Sequence, residues 1–555
     1  MTRRDSVLLA LIVLIGALLR VPVLGEGFWR DEASTYYDIA ARGLDGTLRM
    51  VARIELAPPA YFLVEKAWGH IAGVGDVALK LPSFVYGIAL IVVVYFLGRN
   101  VASSAVGLLA ALFAAVSQPA IALSAEARVY AFAGLAAALT LVAYVAAQRR
   151  PSAALLAWFI VAGTVLVYAN YAGCILLGLL GIATFFVVLR RDDRARRVGF
   201  AVAFLTIVLL YAPWIPTMVM HARIGAPFQE RTRLGTFFDI VNNDFGNLLP
   251  FASRHGQIGL AFALGALVWL AFMLVRRMQR DSAAVAESSK STPMPVIVAI
   301  LAFCTVAGAC IGALLSLREP RYLYVFAPGA WVWFGWLTCR LGQWSIAARR
   351  WQQVALGAVI IMLVALFIPT ERRARSMSAY DSSGIRDFAP RGIALARDDR
   401  TVFLAIPDYL APTLGYYVGR VSDAEIHGFA RWQDPQIFVT RDYLQVWTDP
   451  GAVSDVENRI ASVMQRYDHL VVIRDAILID RARMPYTRAN VLLTWVRNSY
   501  RLVSSREYPG REEDVIVGIF QPRKSAKHRA AGRSSHAPQS PPDDSRAGAH
   551  PRRAR

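Results

Sequence analysis

Between residues 7 and 369 the chain carries eleven apolar segments of about 17 to 23 residues, with no Asp, Glu, Lys or Arg in their middles. Uncharged runs long enough to cross the hydrocarbon core of a bilayer have one stable environment, lipid, so the sequence predicts a polytopic α-helical membrane protein. The expected spans lie near residues 7–24, 82–98, 104–123, 129–147, 153–170, 172–189, 198–220, 256–275, 295–316, 322–340 and 352–369. Composition points the same way: 56% of residues are hydrophobic, against roughly 45–50% in soluble domains, and the mean hydropathy is +0.40. Arg3 and Arg4 give the first segment the look of a signal peptide, but the following loop has no small-x-small cleavage site and many more spans follow.

Charge sets the expected orientation. With a cytoplasmic N-terminus, the inner loops carry Arg99, Arg149 and Arg150, the run Arg190 to Arg197, Arg276, Arg277, Arg280 and Lys290, and Arg340 with Arg349 and Arg350. This obeys the positive-inside rule at every inner loop. An odd number of spans then puts three loops (25–81, 221–255 and 317–321) and everything after Pro369 on the outer side. The formal net charge of +20 is explained by the inner arginines and a basic C-terminus, without any call on nucleic acid. All four cysteines, Cys174, Cys304, Cys310 and Cys339, fall within spans, so the outer part is expected to fold without disulfides.

From about 370 to 522 the hydropathy falls, and β-type runs at 401–406, 469–473 and 514–520 alternate with helical patterns near 408–418, 454–467 and 488–500. The alternation predicts a C-terminal extracytoplasmic α/β domain, its sheet covered by helices. Asp408, Tyr409, Tyr416 and Tyr417 are either carbohydrate contacts or ordinary helix-start and packing residues. Residues 523–555 mix Lys, Arg, Ser, Pro and Gly without periodicity and are expected to form a disordered basic tail.

The charges on the predicted outer face suggest chemistry. Arg30-Asp31-Glu32 stands just beyond the first span, Lys80 opens the second, Glu126-Ala127-Arg128-Val129-Tyr130 joins the third and fourth, and Arg318-Glu319-Pro320-Arg321-Tyr322 precedes the tenth. Carboxylates can act as bases and guanidinium forks suit phosphate, so the set points to a phosphate-bearing lipid substrate. Asp31 and Glu32 also fit a helix start, where negative charge favours the dipole, and the default for a lysine at a helix end, as Lys80 is, is to snorkel to the interface. Glu55-Leu56-Ala57-Pro58-Pro59-Ala60-Tyr61-Phe62 leads into an amphipathic stretch expected to lie along the membrane.

Taken in order, the Asp-Glu pair, Pro-Pro-x-Tyr-Phe, Lys-Leu-Pro-Ser, Glu-Ala-Arg-x-Tyr, the late Arg-Tyr-Leu and a terminal outer domain resemble the GT-C membrane glycosyltransferases. The likeness covers roughly residues 1–370 and is nearest the branch of the protein O-mannosyltransferases and lipid A aminoarabinose transferases. It implies transfer of a sugar, mannose or similar, from a polyprenyl-phosphate donor on the outer face with inversion. Carried over, it makes Asp31 the catalytic carboxylate and Glu32 its neighbour. Lys80, Arg128, Arg318 and Arg321 become candidates for the donor phosphate, with Arg30, Glu55, Glu126, Tyr130 and Tyr322 in support. Many relatives have a His before the double proline where this chain has Ala57, so no metal ligands are assigned, and a divalent metal is left open as cofactor. The acceptor is a glycan, lipid or protein, and the expected location is a bacterial inner membrane. A transporter or flippase is the rival class, disfavoured by the lack of ionisable residues at span centres. A non-catalytic assembly or sensor protein and a pentose-lipid donor are further alternatives.

Overall fold

The computed structural model describes residues 1–189, 194–225, 294–344 apart from 316 and 318, 382–442 apart from 398–399, 446, 449, 451–476 and 486–523. Two expected spans, 256–275 and 352–369, and the basic tail beyond 523 lie outside the described residues. The helices begin with α1 (Arg3–Leu24), α2 (Arg30–Ala40), α3 (Gly43–Ile54), α4 (Ala60–Ala72), α5 (Asp76–Val101), α6 (Ser104–Val116), α7 (Gln118–Leu123) and α8 (Val129–Arg149). They continue with α9 (Ala153–Ala169), α10 (Ala172–Leu189), α11 (Arg194–Tyr211) and α12 (Ile215–Gly225). Further along come α13 (Met294–Leu314) and α14 (Ala327–Trp344). Among the described residues five stretches are long and apolar enough to cross a membrane: Arg3–Leu24, Asp76–Val101, Val129–Arg149, Arg194–Ile224 and Met294–Leu314. Ser104–Val116, Ala153–Ala169 and Ala172–Phe186 are shorter apolar helices.

Among the described residues three expected spans are interrupted. The segment 104–123 divides into α6 and α7 around Pro119, 198–220 passes from α11 to α12 through a 3₁₀ turn at Ala212–Trp214, and 322–340 begins as a 3₁₀ helix, Pro320–Phe326, before α14. The first break has a use. Pro119 has no N–H, so the carbonyl four residues earlier, at Ala115, loses its helical donor. The guanidinium of Arg20, 1% exposed within α1, supplies one at 2.9 Å. It also donates to the carbonyls of Gly16 (2.9 Å) and Ala114 (3.0 Å) and to Ser124 Oγ (3.1 Å). A cation at this depth is tolerable because its donors are spent on carbonyls and a hydroxyl.

Residues 401–522 contain a five-stranded sheet: β1 (Thr401–Ile406), β2 (Ile426–Gly428), β3 (His469–Asp475), β4 (Tyr500–Tyr508) and β5 (Val515–Pro522), in the order β2-β1-β3-β5-β4. β2, β1 and β3 are parallel, whereas β5 is antiparallel to β3 and to β4. Every residue of β1 is buried, as a strand covered on both faces requires. Its alternate side chains feed opposite cores: Val402, Leu404 and Ile406 join Val456, Ile460 and Leu492, while Phe403 and Ala405 join Ile385, Phe388 and Leu414.

Candidate active site

The short loop Gly25–Trp29 and helix α2 are held in place from several sides. Glu32, at the third position of α2, accepts the Trp29 N–H (3.4 Å) with one oxygen and the Ala127 N–H (2.8 Å) with the other. The second oxygen also faces Lys80 Nζ at 3.3 Å. Glu32 therefore ties the start of α2 to the 124–128 turn, as an acidic residue three positions into a helix can. Both partners are buried, Glu32 at 0% and Lys80 at 1% exposure. Burial raises the Glu32 carboxyl above its ordinary pKa, against the pull of Lys80 and the Ala127 N–H.

This corrects the expectation for Lys80. Its ammonium also donates to the carbonyls of Glu26 (3.0 Å) and Gly27 (3.2 Å), so all three N–H donors are engaged within the protein. It neither snorkels nor has a donor left for phosphate in this arrangement. Lys80→Met is expected to destabilise the protein by about 3–5 kcal/mol, because it strands a buried carboxylate. Thermal unfolding in detergent reads this, and Lys80→Met combined with Glu32→Gln recovers part of the loss.

Arg128 is likewise committed. Its guanidinium grips Glu55 with two bonds (3.2 and 3.0 Å) and donates to the Asp31 carbonyl (3.0 Å) and Thr35 Oγ1 (3.2 Å). With 8% exposure, it braces α2 against the end of α3 and does not present a fork outward. Next to it the Asp38 carboxyl is raised well above its usual range by burial and by Glu55.

Asp31 differs from its neighbour in keeping 19% of its side chain exposed. Arg30 Nε approaches one oxygen at 2.9 Å and Arg321 Nη2 the other at 3.7 Å. Burial alone would raise this carboxyl, but Arg30, Arg128 and Arg321 outweigh it and hold Asp31 well below the ordinary carboxylate range. Arg321 lies against the rings of Trp29 (5.1 Å), Tyr130 (5.7 Å) and Tyr322 (5.8 Å). Its Nε is buried without a hydrogen-bond partner, while 18% of the side chain is exposed. The Oε2 of Glu126 is also buried without a hydrogen-bond partner. Burial pushes Glu126 up to about 8, with Arg321 opposing and Glu32 reinforcing the shift. Arg318 lies outside the described residues.

Sequence reasoning missed the residues of 382–523 that grip the loop. Glu513 Oε1 accepts the Arg30 N–H (2.8 Å), and the same carboxylate accepts from Ser383 (2.6 Å) and Thr413 (3.1 Å). Burial raises Glu513 to about 7, opposed by Ser383 and Arg30. Arg511 pairs with Glu26 at 2.6 Å, Arg386 donates to the Gly25 carbonyl (2.9 Å), and the Tyr417 hydroxyl accepts the Phe28 N–H (2.6 Å). Tyr416 and Tyr417 both donate to Asp76, and Asp408 accepts the N–H groups of 429–431. Asp408, Tyr416 and Tyr417 therefore have structural partners; Tyr409 donates to Asp475.

Among the described residues no three His, Cys, Asp or Glu side chains are grouped to hold a metal ion. Asp31 is held between guanidinium groups and Glu32 faces an ammonium, a donor set that does not fit a divalent cation.

Residues 57–216 match the family model described as dolichyl-phosphate-mannose-protein mannosyltransferase. A search of curated proteins finds no match. Among solved structures, ArnT from Cupriavidus metallidurans bound to undecaprenyl phosphate is similar with a TM-score of 0.55 and 13% identity, over 93% of this chain and 98% of that one. The archaeal oligosaccharyltransferase AglB from Archaeoglobus fulgidus, in complex with an inhibitory peptide and a dolichol-phosphate, is similar with a TM-score of 0.53 and 14% identity, over 94% and 74%. The chain has the GT-C glycosyltransferase fold. The family match takes in Lys80, Glu126, Arg128 and Tyr130, whereas Asp31 and Arg321 lie outside it.

Proposed function

We propose that the chain is a membrane glycosyltransferase that moves a sugar from a polyprenyl-phosphate donor to an acceptor hydroxyl, with inversion and with Asp31 as general base. The observation that carries this reading is a partly exposed carboxylate between Arg30 and Arg321, set in a GT-C fold. Two neighbours of that fold were solved with undecaprenyl phosphate or dolichol-phosphate, which supports the donor class. In the reaction the acceptor oxygen bonds to the anomeric carbon and its proton passes to Asp31. The bond from that carbon to the phosphate oxygen breaks, and polyprenyl phosphate leaves with the electron pair. Arg321 and Arg30 take up the charge that develops on the phosphate. As they turn toward it they loosen their hold on Asp31, whose basicity rises when the proton must move. Lys80, Glu32, Arg128 and Glu55 position the loop, and Tyr130 and Tyr322 flank Arg321.

The same reading assigns residues 1–369 to the catalytic membrane part, 370–522 to an extracytoplasmic α/β domain and 523–555 to a basic tail. It faces the site outward from a bacterial inner membrane, supported by the arginine-rich loops at the opposite ends of the spans. The donor sugar is mannose or another hexose or pentose, and the acceptor a glycan, lipid or protein. The test is transfer by purified protein from a panel of synthetic polyprenyl-phosphate sugars. Turnover of one donor supports the reading and names the sugar; no binding, hydrolysis or transfer of any donor overturns it.

A further inference from the structure

A cavity of about 420 Å³ lies between α3, the end of α12 and residues 439–442, and Asp31 is not in its lining. Thr47, Val51 and Ile54 bury one face of α3. Arg49, Ala52 and Arg53, spaced three and four apart on another face, line the cavity together with Arg441 and Asp442. Its remaining wall is apolar: Met220, Ile224 and Val439. The corner is fixed, because His221 of α12 bonds the Ala52 carbonyl through Nε2 (2.9 Å) and the Tyr171 hydroxyl through Nδ1 (2.7 Å).

Three guanidinium groups and a single carboxylate line this cavity, which leaves it with an excess of positive charge. Arg49 meets Asp45 at 2.7 Å, but both side chains are solvent-exposed, at 74% and 69%, and such a pair offsets little. Arg53 and Arg441 have no ion pair among the described residues, and Asp442 is itself 3.9 Å from Arg431. An anion would balance that excess charge. The apolar wall says what the anion is attached to: it continues into Arg194–Ile224, a membrane-length helix whose Val202, Leu205, Val208, Leu209, Val219 and Met220 are exposed.

We propose that this cavity is a second lipid-phosphate site, separate from the donor site. Arg49, Arg53 and Arg441 would hold the headgroup phosphate of an anionic membrane lipid, and its hydrocarbon would lie along Met220 and Ile224. The site does not depend on the transferase reading.

The test is native mass spectrometry of the full chain in neutral detergent, titrated separately with phosphatidylglycerol, phosphatidylcholine and inorganic phosphate. Phosphatidylglycerol is expected to bind with about one high-affinity equivalent. That binding should weaken about tenfold or more in Arg53→Gln and in Arg441→Gln, the loss of one charge-assisted contact, and should survive in Arg321→Gln. Both variants alter exposed side chains, and their thermal unfolding should match wild type. Unchanged affinity in both variants, equal binding of phosphatidylcholine, or inorganic phosphate binding as tightly as the lipid would each overturn the proposal.

Discussion

Asp31→Asn is expected to lower the rate of sugar transfer by about 10²–10⁴-fold, the usual contribution of a positioned general base, while leaving folded protein and donor binding in place. Asn fills the same volume, and the loop it occupies is held by Glu32, Lys80, Arg128 and Glu513 through contacts that do not use the Asp31 side chain. The pH profile gives a second check. A carboxylate base ordinarily produces an acid limb as it protonates, but Arg30, Arg128 and Arg321 keep Asp31 ionised far below neutrality. Transfer should therefore show no acid limb from Asp31 between pH 5 and 8. Glu126, raised to about 8 by burial, is neutral at pH 7 and acquires charge only as the pH passes that value. A limb near pH 8 would belong to it and should vanish in Glu126→Gln. Near-normal turnover in Asp31→Asn would remove Asp31 from the mechanism.

The membrane-length helices were legible because a bilayer imposes one length and one composition on whatever crosses it. The interruption at Pro119 was written in the sequence too, but its meaning depends on Arg20 reaching across from another helix, which no local pattern encodes. β4 escaped notice for a different reason. Tyr500–Tyr508 is an edge strand with exposed Arg501, Arg506 and Glu507, and charged residues of that kind mask the strand pattern while protecting the edge.

At the site, sequence order drew attention to segments that meet in the structure but could not divide the labour within them. Asp31 and Glu32 are adjacent and chemically alike, yet one is partly exposed between arginines and the other is sealed against Lys80. That difference arises from the direction in which successive residues leave a helix start and from which partner each meets. Lys80 looked like a snorkelling or phosphate-binding lysine because its partners, Glu32 and the carbonyls of 26 and 27, belong to another segment. Glu513 was invisible for the same reason in the extreme: its partner, Arg30, is 483 residues away, and Arg511-Glu512-Glu513-Asp514 reads as an ordinary charged turn.

Arg321 provides the sharper test of how donor and base are linked. Arg321→Gln should reduce transfer by about 10²–10³-fold, the cost of removing one preorganised donor from a site of developing charge. A residue that only supported the fold would show its effect in thermal unfolding. The Arg321 side chain is 18% exposed and meets Asp31 only at 3.7 Å, whereas that of Lys80 is 2% exposed and meets Glu32 at 3.3 Å, so the loss of Arg321 should cost much less stability than the loss of Lys80. Two further readouts should move together. Donor affinity should fall, because the phosphate loses a guanidinium. The Asp31 carboxyl should rise toward its ordinary range, because one of the three cations holding it down is gone. The variant should accordingly show an acid limb at higher pH than the wild type, measurable in the pH dependence of kcat/KM. Weakened donor binding with an unshifted pH profile would mean that Arg321 serves the phosphate alone, and that phosphate capture and base strength are separate properties of the site.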